Sequence, residues 1–497
     1  MLNYIDNLLN RITMYRLVLY YLIFLLAVAC LFGSIGWLSY APTAILFEAV
    51  ILVAICLVAN KIFVDFFQVS ANLESVYITA LILALLITPP ADTAYFAVLP
   101  LLFMAGILAM ASKFIFNIGQ KHIFNPVAIA IALTALAANQ SATWWIGSPI
   151  LLPFVLLGGI LVIRKVRRFD AVISFVAAAI IAMFVLPGGG ANPWLTVYKS
   201  LIHSPLIFLA AVMLTEPLTM PPTRDGRIAY GLLVGWLFAP QTHFGGFYFT
   251  PELALITGNI FSYLVSPKGR YVLTLKSRAE IGQGIYDFVF ESDRPLSFRP
   301  GQYLEFTIDP GHADTRGNRR YFTIASSPTE KEMILGIRFY QEPSSFKRKL
   351  LMMEPGDKIM AGQLAGDFVL PRDPKKKLVF LAGGIGVTPF RSMLKYLVDR
   401  QESRPITMLY SNREAAEIVY QEVTAAAERL GMKTVNVLTG QQGYINEELI
   451  KREVPDYLDR TFYISGSHNM VTTFKRQLTN LGVHRSQIVT DFFPGLA

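Results

Sequence analysis

Ten apolar runs, each long enough for a helix, fill the first half of the chain: near 17–39, 42–60, 76–88, 94–111, 125–139, 149–163, 170–187, 205–218, 228–240 and 250–265. Several are shorter than the roughly 20 residues a straight membrane crossing needs. The runs at 76–88 and 205–218 end in "ITPP" (Ile87 to Pro90) and "EPLTMPP" (Glu216 to Pro222). Proline stops or kinks a helix, so both are predicted to be broken helices. Freed backbone at membrane depth is tolerated where it lines a buried site. One such ending in each half of the region points weakly to an internal repeat.

From Arg270 the period changes to two. "YVLTLKSRAE", "GIYDFVFES", "GQYLEFTID", "RRYFTIASS", "MILGIRFY" and "DKIMAGQLAGDFVL" read as six strands separated by Gly and Pro, the pattern of a small antiparallel barrel. After Lys377, "LVFLAGG", "PITMLYS", "TVNVLTG" and "TFYISGS" alternate with helical stretches, as in a parallel α/β sheet of dinucleotide-binding type. The predicted fold is multi-domain. An all-α polytopic membrane bundle of about ten helices (1–268) precedes an antiparallel β-barrel (269–374) and an α/β nucleotide-binding domain (375–497).

Composition supports the membrane assignment: 53% of the 497 residues are hydrophobic and the mean hydropathy is +0.45. The net charge of +9 admits nucleic acid as a partner, but the basic residues are distributed otherwise. With the N-terminus inside and ten crossings, the inner loops hold Arg11, Arg16, Lys61, Lys113, Lys121, Arg164, Lys165, Arg167, Arg168, Arg224, Arg227, Lys268 and Arg270. The outer loops hold Lys199 alone. This positive-inside bias predicts a multi-pass protein of the cytoplasmic (inner) membrane with both termini in the cytoplasm, where NADH and NADPH are found. Nucleic acid is not an expected partner; the lipid bilayer is. The first apolar run lacks a small-residue cleavage site and is read as a retained anchor.

Cys30 and Cys56, both in apolar runs, read as small buried hydrophobes. Two cysteines cannot ligate an ordinary iron–sulfur cluster within one chain, although a cluster shared with a partner subunit stays open. His122, His203 and His243 lie near helix ends on different sides, so they do not supply the facing pairs that haem ligation needs. No metal site is predicted.

Three stretches carry candidate chemistry. "AGGIGVTPF" (Ala382 to Phe390) follows a buried strand and opens a helix. Its glycines let backbone N–H groups approach a pyrophosphate, though a tight structural turn is the plainer reading. Glu216 sits within an apolar run, where an uncompensated carboxylate is costly, so it is a candidate functional residue or half of a structural pair. Asn125, before Pro126, is a candidate ligand-binding residue or a helix N-cap.

With "RRYFTIASSP" (Arg319 to Pro328) upstream, the order of barrel, Arg-x-aromatic-Thr, α/β sheet and Gly-Gly-x-Gly-x-Thr-Pro resembles the ferredoxin–NADP reductase family across residues 270–497. That resemblance implies FAD and NADPH or NADH as cofactors. It implies that Arg320 pairs with the FAD pyrophosphate, that Phe322 packs on the isoalloxazine where tyrosine is commoner, and that Thr323 hydrogen-bonds near its redox-active nitrogen. "PSSFK" (Pro343 to Lys347) would start a helix whose amides, with Ser344, Ser345 and Phe346, hold the FAD phosphates; a plain capping turn is the alternative. Gly383, Gly384, Gly386, Thr388 and Pro389 would cradle the dinucleotide. Ser465 stands where many relatives have a cysteine near the nicotinamide. Phe492 and Phe493 fall where relatives cover the flavin face, an ordinary core plug being the other reading. Ser411 and Arg413, after the second strand, would meet the 2′-phosphate of NADPH, or form a solvated loop.

"GQKHIFNP" (Gly119 to Pro126), Thr143-Trp144 and "LTEPLTMPPTRDGRIAYG" (Leu214 to Gly231) resemble a polytopic membrane subunit of Rnf-type electron transport complexes and its counterpart in sodium-pumping NADH:quinone reductases. That family has a ten-helix bundle of two five-helix repeats that holds flavins and passes electrons through the membrane. Its covalent flavin sits on a threonine in a Gly/Ser/Thr-rich loop, which is nearly absent here between Trp145 and Leu151. The resemblance therefore implies a noncovalent FMN or riboflavin beside Asn125 and Glu216.

Together these features predict a membrane-bound flavin oxidoreductase. Hydride passes from NAD(P)H to FAD, and single electrons then pass to a quinone, an extracytoplasmic acceptor or partner redox subunits. Thr323, Ser465, Phe492 and Phe493 are placed at the reacting centre. The alternatives are an ion-translocating redox subunit of a larger complex and a flavin transporter with a vestigial reductase domain.

Overall fold

In the computed structural model, residues 2–9, 12–67, 72–91, 95–118, 121–138, 140–186, 192–266, 269–308 and 318–491 are described, and the chain divides after Lys268 into two units. All ten apolar runs are helical. Nine form α-helices: Met14–Ser34, Pro42–Phe67, Leu73–Leu86, Tyr95–Ile115, Pro126–Ala138, Leu152–Val166, Phe169–Val185, Arg224–Phe238 and Pro251–Val265. The tenth is a short α-turn, Leu206–Phe208, continued by a π-helical turn, Leu209–Met213. Two further helices, Leu2–Leu9 and Pro193–Ile202, fall outside the ten expected runs.

The expectation of about ten crossings is met only in part. Among the described residues three helices, Met14–Ser34, Pro42–Phe67 and Tyr95–Ile115, are long and apolar enough to cross a membrane. A fourth span results if Pro193–Ile202 and Leu206–Met213, bent by 62° at their junction, count as one. Leu73–Leu86, Pro126–Ala138 and Phe169–Val185 are apolar but shorter. Both proline-ended runs stop where predicted. The helix ends at Leu86, Ile87 being extended (ψ 144°), and Thr88, directly before Pro89, is disfavoured from the helical conformation.

Small residues let these helices pack closely. A Cβ on Gly231 would stand 2.1 Å from Ser174 Oγ, and one on Gly235 would stand 2.1 Å from the Phe175 carbonyl oxygen. The Arg224–Phe238 and Phe169–Val185 backbones therefore nearly touch, as small-residue seams allow. Arg227 and Asp170 close one end of that pair with a 2.6 Å ion pair.

The second unit begins with the six expected strands: β1 (Tyr271–Gly282), β2 (Ile285–Ser292), β3 (Tyr303–Thr307), β4 (Arg319–Thr323), β5 (Met333–Arg338) and β6 (Lys358–Ala365). They form one antiparallel sheet in the order β4-β3-β6-β1-β2-β5. The strands paired in this ladder are those expected of the antiparallel barrel. Its two edge strands come together just beyond β4, where Ala325 N–H donates to the Ile334 carbonyl (2.9 Å) and Ile334 N–H to Ser326 Oγ (3.1 Å). Alternation buries Leu273, Leu275, Phe288, Phe290, Leu304 and Phe306 in one core, capped by Phe346 and Leu350.

Five parallel strands follow: β7 (Leu378–Gly383), β8 (Ile406–Asn412), β9 (Lys433–Leu438), β10 (Thr461–Ser465) and β11 (Ile488–Thr490), in the order β9-β8-β7-β10-β11. Their near-continuous apolar character fits strands buried on both faces: Phe380 and Tyr463 pack on one side, Leu381 and Ile464 on the other. The chain reverses its direction of travel across the sheet at β7. The crevice beyond the carboxyl ends of β7 and β10 is where doubly wound sheets bind ligands.

Candidate functional site

β7 runs into a 3₁₀ turn, Gly384–Val387, and then into the helix Thr388–Asp399, with Pro389 in its first turn. Gly384 has φ +52°, a left-handed value that disfavours any side chain. Gly386 lies against β10: a Cβ there would stand 2.6 Å from the Ser465 carbonyl oxygen and 2.7 Å from Gly466. At Gly383 a Cβ would meet Met470 Sδ at 2.0 Å. Gly383, Gly384, Gly386 and Ser465 thus lie together at the carboxyl ends of β7 and β10, with Thr388 and Pro389 opening the helix that follows, Ser465 being paired in register with Ala382. Ser465 Oγ donates to Asp491 Oδ2 at 3.3 Å. Phe492 and Phe493 lie outside the described residues.

A second cluster forms on the antiparallel sheet. Arg320 and Phe322 share one face of β4, opposite Phe306 and Leu304 of β3. The Phe322 ring lies 5.8 Å from those of Phe306 and Phe346, and the Arg320 guanidinium lies 5.5 Å from the Phe346 ring. Ser344 caps the seven-residue helix Ser345–Leu351, its Oγ accepting from Lys347 N–H at 3.3 Å, so the plain capping reading of this serine is correct as far as it goes. Alternation turns Thr323 to the other face, where it pairs in register with Tyr303.

The two clusters are tied together. Ser392 Oγ, on the helix after the glycine turn, donates to the Ser326 carbonyl at 2.6 Å, three residues past the end of β4. Arg391 donates to the Ala325 carbonyl (3.0 Å) and in a fork to the Glu330 carboxylate. Tyr420 OH donates to Asp287 Oδ1 at 2.6 Å. Burial pushes the Asp287 carboxyl up to about 6, against the opposing effect of the Tyr420 hydroxyl and the Arg391 charge. Sequence reasoning missed Arg391, Glu330, Asp287 and Tyr420. Only the place of Arg391 on the first turn after Thr-Pro could have drawn notice.

Ser411 and Arg413 separate. Ser411, in β8, lies in register with Gly383 and is half-buried. Arg413 is exposed, and its backbone N–H donates to Glu417 Oε2 at 3.0 Å.

In the first unit Asn125 and Glu216, 91 residues apart, meet. Asn125 Nδ2 donates to Glu216 Oε2 at 2.8 Å, while its Oδ1 accepts from the N–H groups of Val127 and Ala128, both at 3.1 Å. Asn125 therefore caps the helix with its oxygen and binds the carboxylate with its nitrogen. Thr219 Oγ1 donates to Glu216 at 3.3 Å. Asn259, missed in the sequence, accepts from Asn125 N–H at 2.8 Å and donates to Tyr230 OH at 3.1 Å.

Comparison with known proteins resolves one part of this arrangement. Residues 380–476, from β7 through most of the helix His468–Asn480, match the oxidoreductase NAD-binding domain. The chain carries that domain. It is 27% identical over 217 residues to a flavohemoprotein of Bacillus subtilis, a match that covers 41% of this chain and 53% of the relative. It is 23% identical over 240 residues to the glycine betaine monooxygenase reductase subunit of Pseudomonas aeruginosa, covering 45% and 64% respectively. The chain therefore spans between half and two thirds of these relatives' lengths. Among solved structures, the Amycolatopsis cytochrome P450 reductase GcoB aligns with TM-score 0.41 and 23% identity over 45% of this chain and 69% of its own.

Proposed function

We propose that the chain is a membrane-bound NAD(P)H-dependent flavin oxidoreductase. The second unit takes hydride from cytoplasmic NADH or NADPH. The first passes electrons into or across the membrane to a quinone or an extracytoplasmic acceptor. The observation that carries this reading is the Ser392–Ser326 bond, 2.6 Å, with the Arg391–Ala325 bond beside it. These tie the strand bearing Arg320, Phe322 and Thr323 to the helix that opens at the glycine turn, so a ring seated at one cluster lies beside a nucleotide seated at the other.

The donor set suits FAD: a guanidinium, the hydroxyls of Ser344 and Ser345, and a half-buried aromatic ring at Phe322. FAD, when bound, supplies the conversion of a two-electron hydride into single electrons. Arg320 would hold its pyrophosphate and Phe322 would pack on its ring. Ser465, fixed by Asp491, would orient the nicotinamide. The glycine turn would admit the dinucleotide backbone, which a side chain at Gly384 or Gly386 would exclude.

In the first unit, the Asn125–Glu216 pair is a candidate seat for a second, noncovalent flavin, FMN or riboflavin. The same half-buried carboxylate favours the other reading, an ion-translocating redox subunit. Sodium or proton movement in step with NAD(P)H oxidation would move that reading ahead.

The test is the flavin content of the detergent-purified chain, by acid extraction and chromatography, in the wild type and in Arg320→Ala. FAD in the wild type, lost together with NAD(P)H oxidation in the variant, is expected. Normal FAD content in Arg320→Ala would sink the assignment, and FAD as the sole flavin would remove the second seat.

A further inference from the structure

We propose that Glu48 is a proton-binding site of the first unit, reached from the outer face of the membrane past the Tyr40 hydroxyl. The proposal rests on reading this unit as membrane-spanning, with the start of the helix Pro42–Phe67 facing outward. It concerns a carboxylate that neither the FAD site nor the Asn125–Glu216 pair uses.

Glu48 is the seventh residue of Pro42–Phe67, about 9 Å along the axis from its start at 1.5 Å per residue. It shares the buried face of this helix with Ile45, Leu52, Ile55 and Cys56. The helix Tyr95–Ile115 brackets it: the Phe47 ring stands 4.9 Å from that of Tyr95, and a Cβ on Gly106 would stand 2.8 Å from Ile55 Cγ2. Glu48 is fully buried, and neither of its carboxylate oxygens has a hydrogen-bond partner among the described residues.

The charges that could neutralise it lie elsewhere. On the three helices packed against Pro42–Phe67, the charged residues are Arg16, Glu74 and Lys113. Arg16 pairs with Glu74 at 2.8 Å and Lys113 Nζ donates to the Ser75 carbonyl at 2.9 Å, so all three gather at the far ends of their helices. Lys61 and Asp65, on the same helix as Glu48, lie roughly four turns further along it. Toward the Glu48 end, Tyr95 OH donates to Thr43 Oγ1 at 3.2 Å and Cys30 is half-buried. Tyr40, two residues before the helix, is the neighbour that feels the carboxylate. Burial raises the Tyr40 phenol above its ordinary range, and the Glu48 charge adds to the rise. The Tyr40 side chain is half-buried and held edge-on against Trp145, with ring centres 5.5 Å apart. A cleft of about 360 Å³, edged by Thr88, Gln140 and Ser141, lies at the same end of the bundle, where Leu73–Leu86 ends and Tyr95–Ile115 begins.

An unpaired carboxylate charge in such surroundings is costly, and a bound proton removes it. A hard cation in its place would need several oxygen ligands. The other carboxylates of these four helices, Asp65 and Glu74, are at the far end. A residue kept only for packing would be apolar, and one kept as a strut would be bonded. Glu48 is neither, whereas a group that gains and loses a proton must be an acid with a route to water.

The experiment is modification by dicyclohexylcarbodiimide, which adds to protonated carboxyls in apolar surroundings as an N-acylurea and is located by peptide mass spectrometry. The full chain is reconstituted in vesicles whose inner and outer pH are set separately. Orientation is read from NAD(P)H oxidation before and after the vesicles are opened. Glu48 should be labelled at neutral pH, and its labelling should fall on the order of tenfold as the outer pH alone is raised to about 10. Infrared difference spectra between the two outer pH values should show a carboxylic acid band that Glu48→Gln lacks. Tyr40→Phe should slow the appearance of that band after a jump in outer pH. Labelling that is absent, or that stays constant as the outer pH is raised, would overturn the site. Labelling that follows the inner pH, or a band that forms at full speed in Tyr40→Phe, would overturn the outer route. Protection by sodium at fixed pH would overturn the proton as occupant. NAD(P)H oxidation that is equal from both faces would instead overturn the membrane-sided reading beneath the proposal.

Discussion

A single methyl group distinguishes a working glycine turn from a blocked one. At Gly386 the added Cβ would stand 2.6 Å from the Ser465 carbonyl oxygen, a backbone atom of β10 that cannot step aside. Gly386→Ala should therefore push the turn away from Ser465, at a cost of about 1–3 kcal/mol. NAD⁺ affinity should fall and FAD content should stay, since Arg320 and Phe322 lie on the other sheet. Thermal unfolding and nucleotide titration check it; full NAD⁺ affinity in this variant would mean that the turn does not approach the dinucleotide. At this scale the sequence is informative where a residue type is forced by backbone, as at Gly384 and Gly386. It is silent where function arises from contacts between distant segments. Nothing near Asn125 in the chain announces Asn259, 134 residues on.

Elements are readable to the extent that their periods are long. All six antiparallel strands and four of the five parallel ones lie where alternation or a buried run put them. The fifth parallel strand, Ile488–Thr490, has three residues, too few to show a period. Pro193–Ile202 escapes notice because it is short and mixed in character, although Asn192 caps it and Pro193 opens it. Between elements, the least legible feature is the polar joint of β2 with the segment before the helix Gln421–Glu428. There Asp287 accepts from Tyr420 OH, and the carboxyl is raised from 3.8 to about 6 by burial, which outweighs the hydroxyl and Arg391, while Glu422 and Glu330 add to the rise. The folded state thus holds a proton more tightly than the unfolded chain. Stability from this group is present below about pH 4 and is lost as pH rises through about 6. Asp287→Asn keeps an acceptor for Tyr420 and removes the charge. It should leave the unfolding of this unit nearly unchanged at low pH and stabilise it by up to about 3 kcal/mol at pH 8. Flavin release on heating, followed by fluorescence across roughly pH 4–8, reads this directly. An equal effect of the substitution at both ends of the range would show that the charge is not what matters.

For the whole molecule, the proposed electron flow across a membrane depends on sidedness, and the basic residues of the first unit bear on it. Lys and Arg crowd the loops assigned inside. Basic side chains favour the cytoplasmic side, and this crowding sets the expected orientation. The hairpin of His243–Phe244 and Phe247–Tyr248 would then lie outside, and the NAD-binding domain inside with the reduced nucleotides. Only Cys30 and Cys56 need replacing to make a thiol-free background. Into it, Gly246→Cys places a thiol in that hairpin, where a Cβ meets nothing within 4 Å, and Glu342→Cys places one at an exposed position of the second unit. A membrane-impermeant maleimide applied to intact cells stripped of any outer layer should label Gly246→Cys and spare Glu342→Cys until the membrane is opened. The reverse pattern would place the nucleotide site outside, away from cytoplasmic NAD(P)H. Labelling of both before lysis would put the two positions on one side of the membrane. The helix Pro251–Val265 between them would then not cross, and the ten-crossing topology would fall with it.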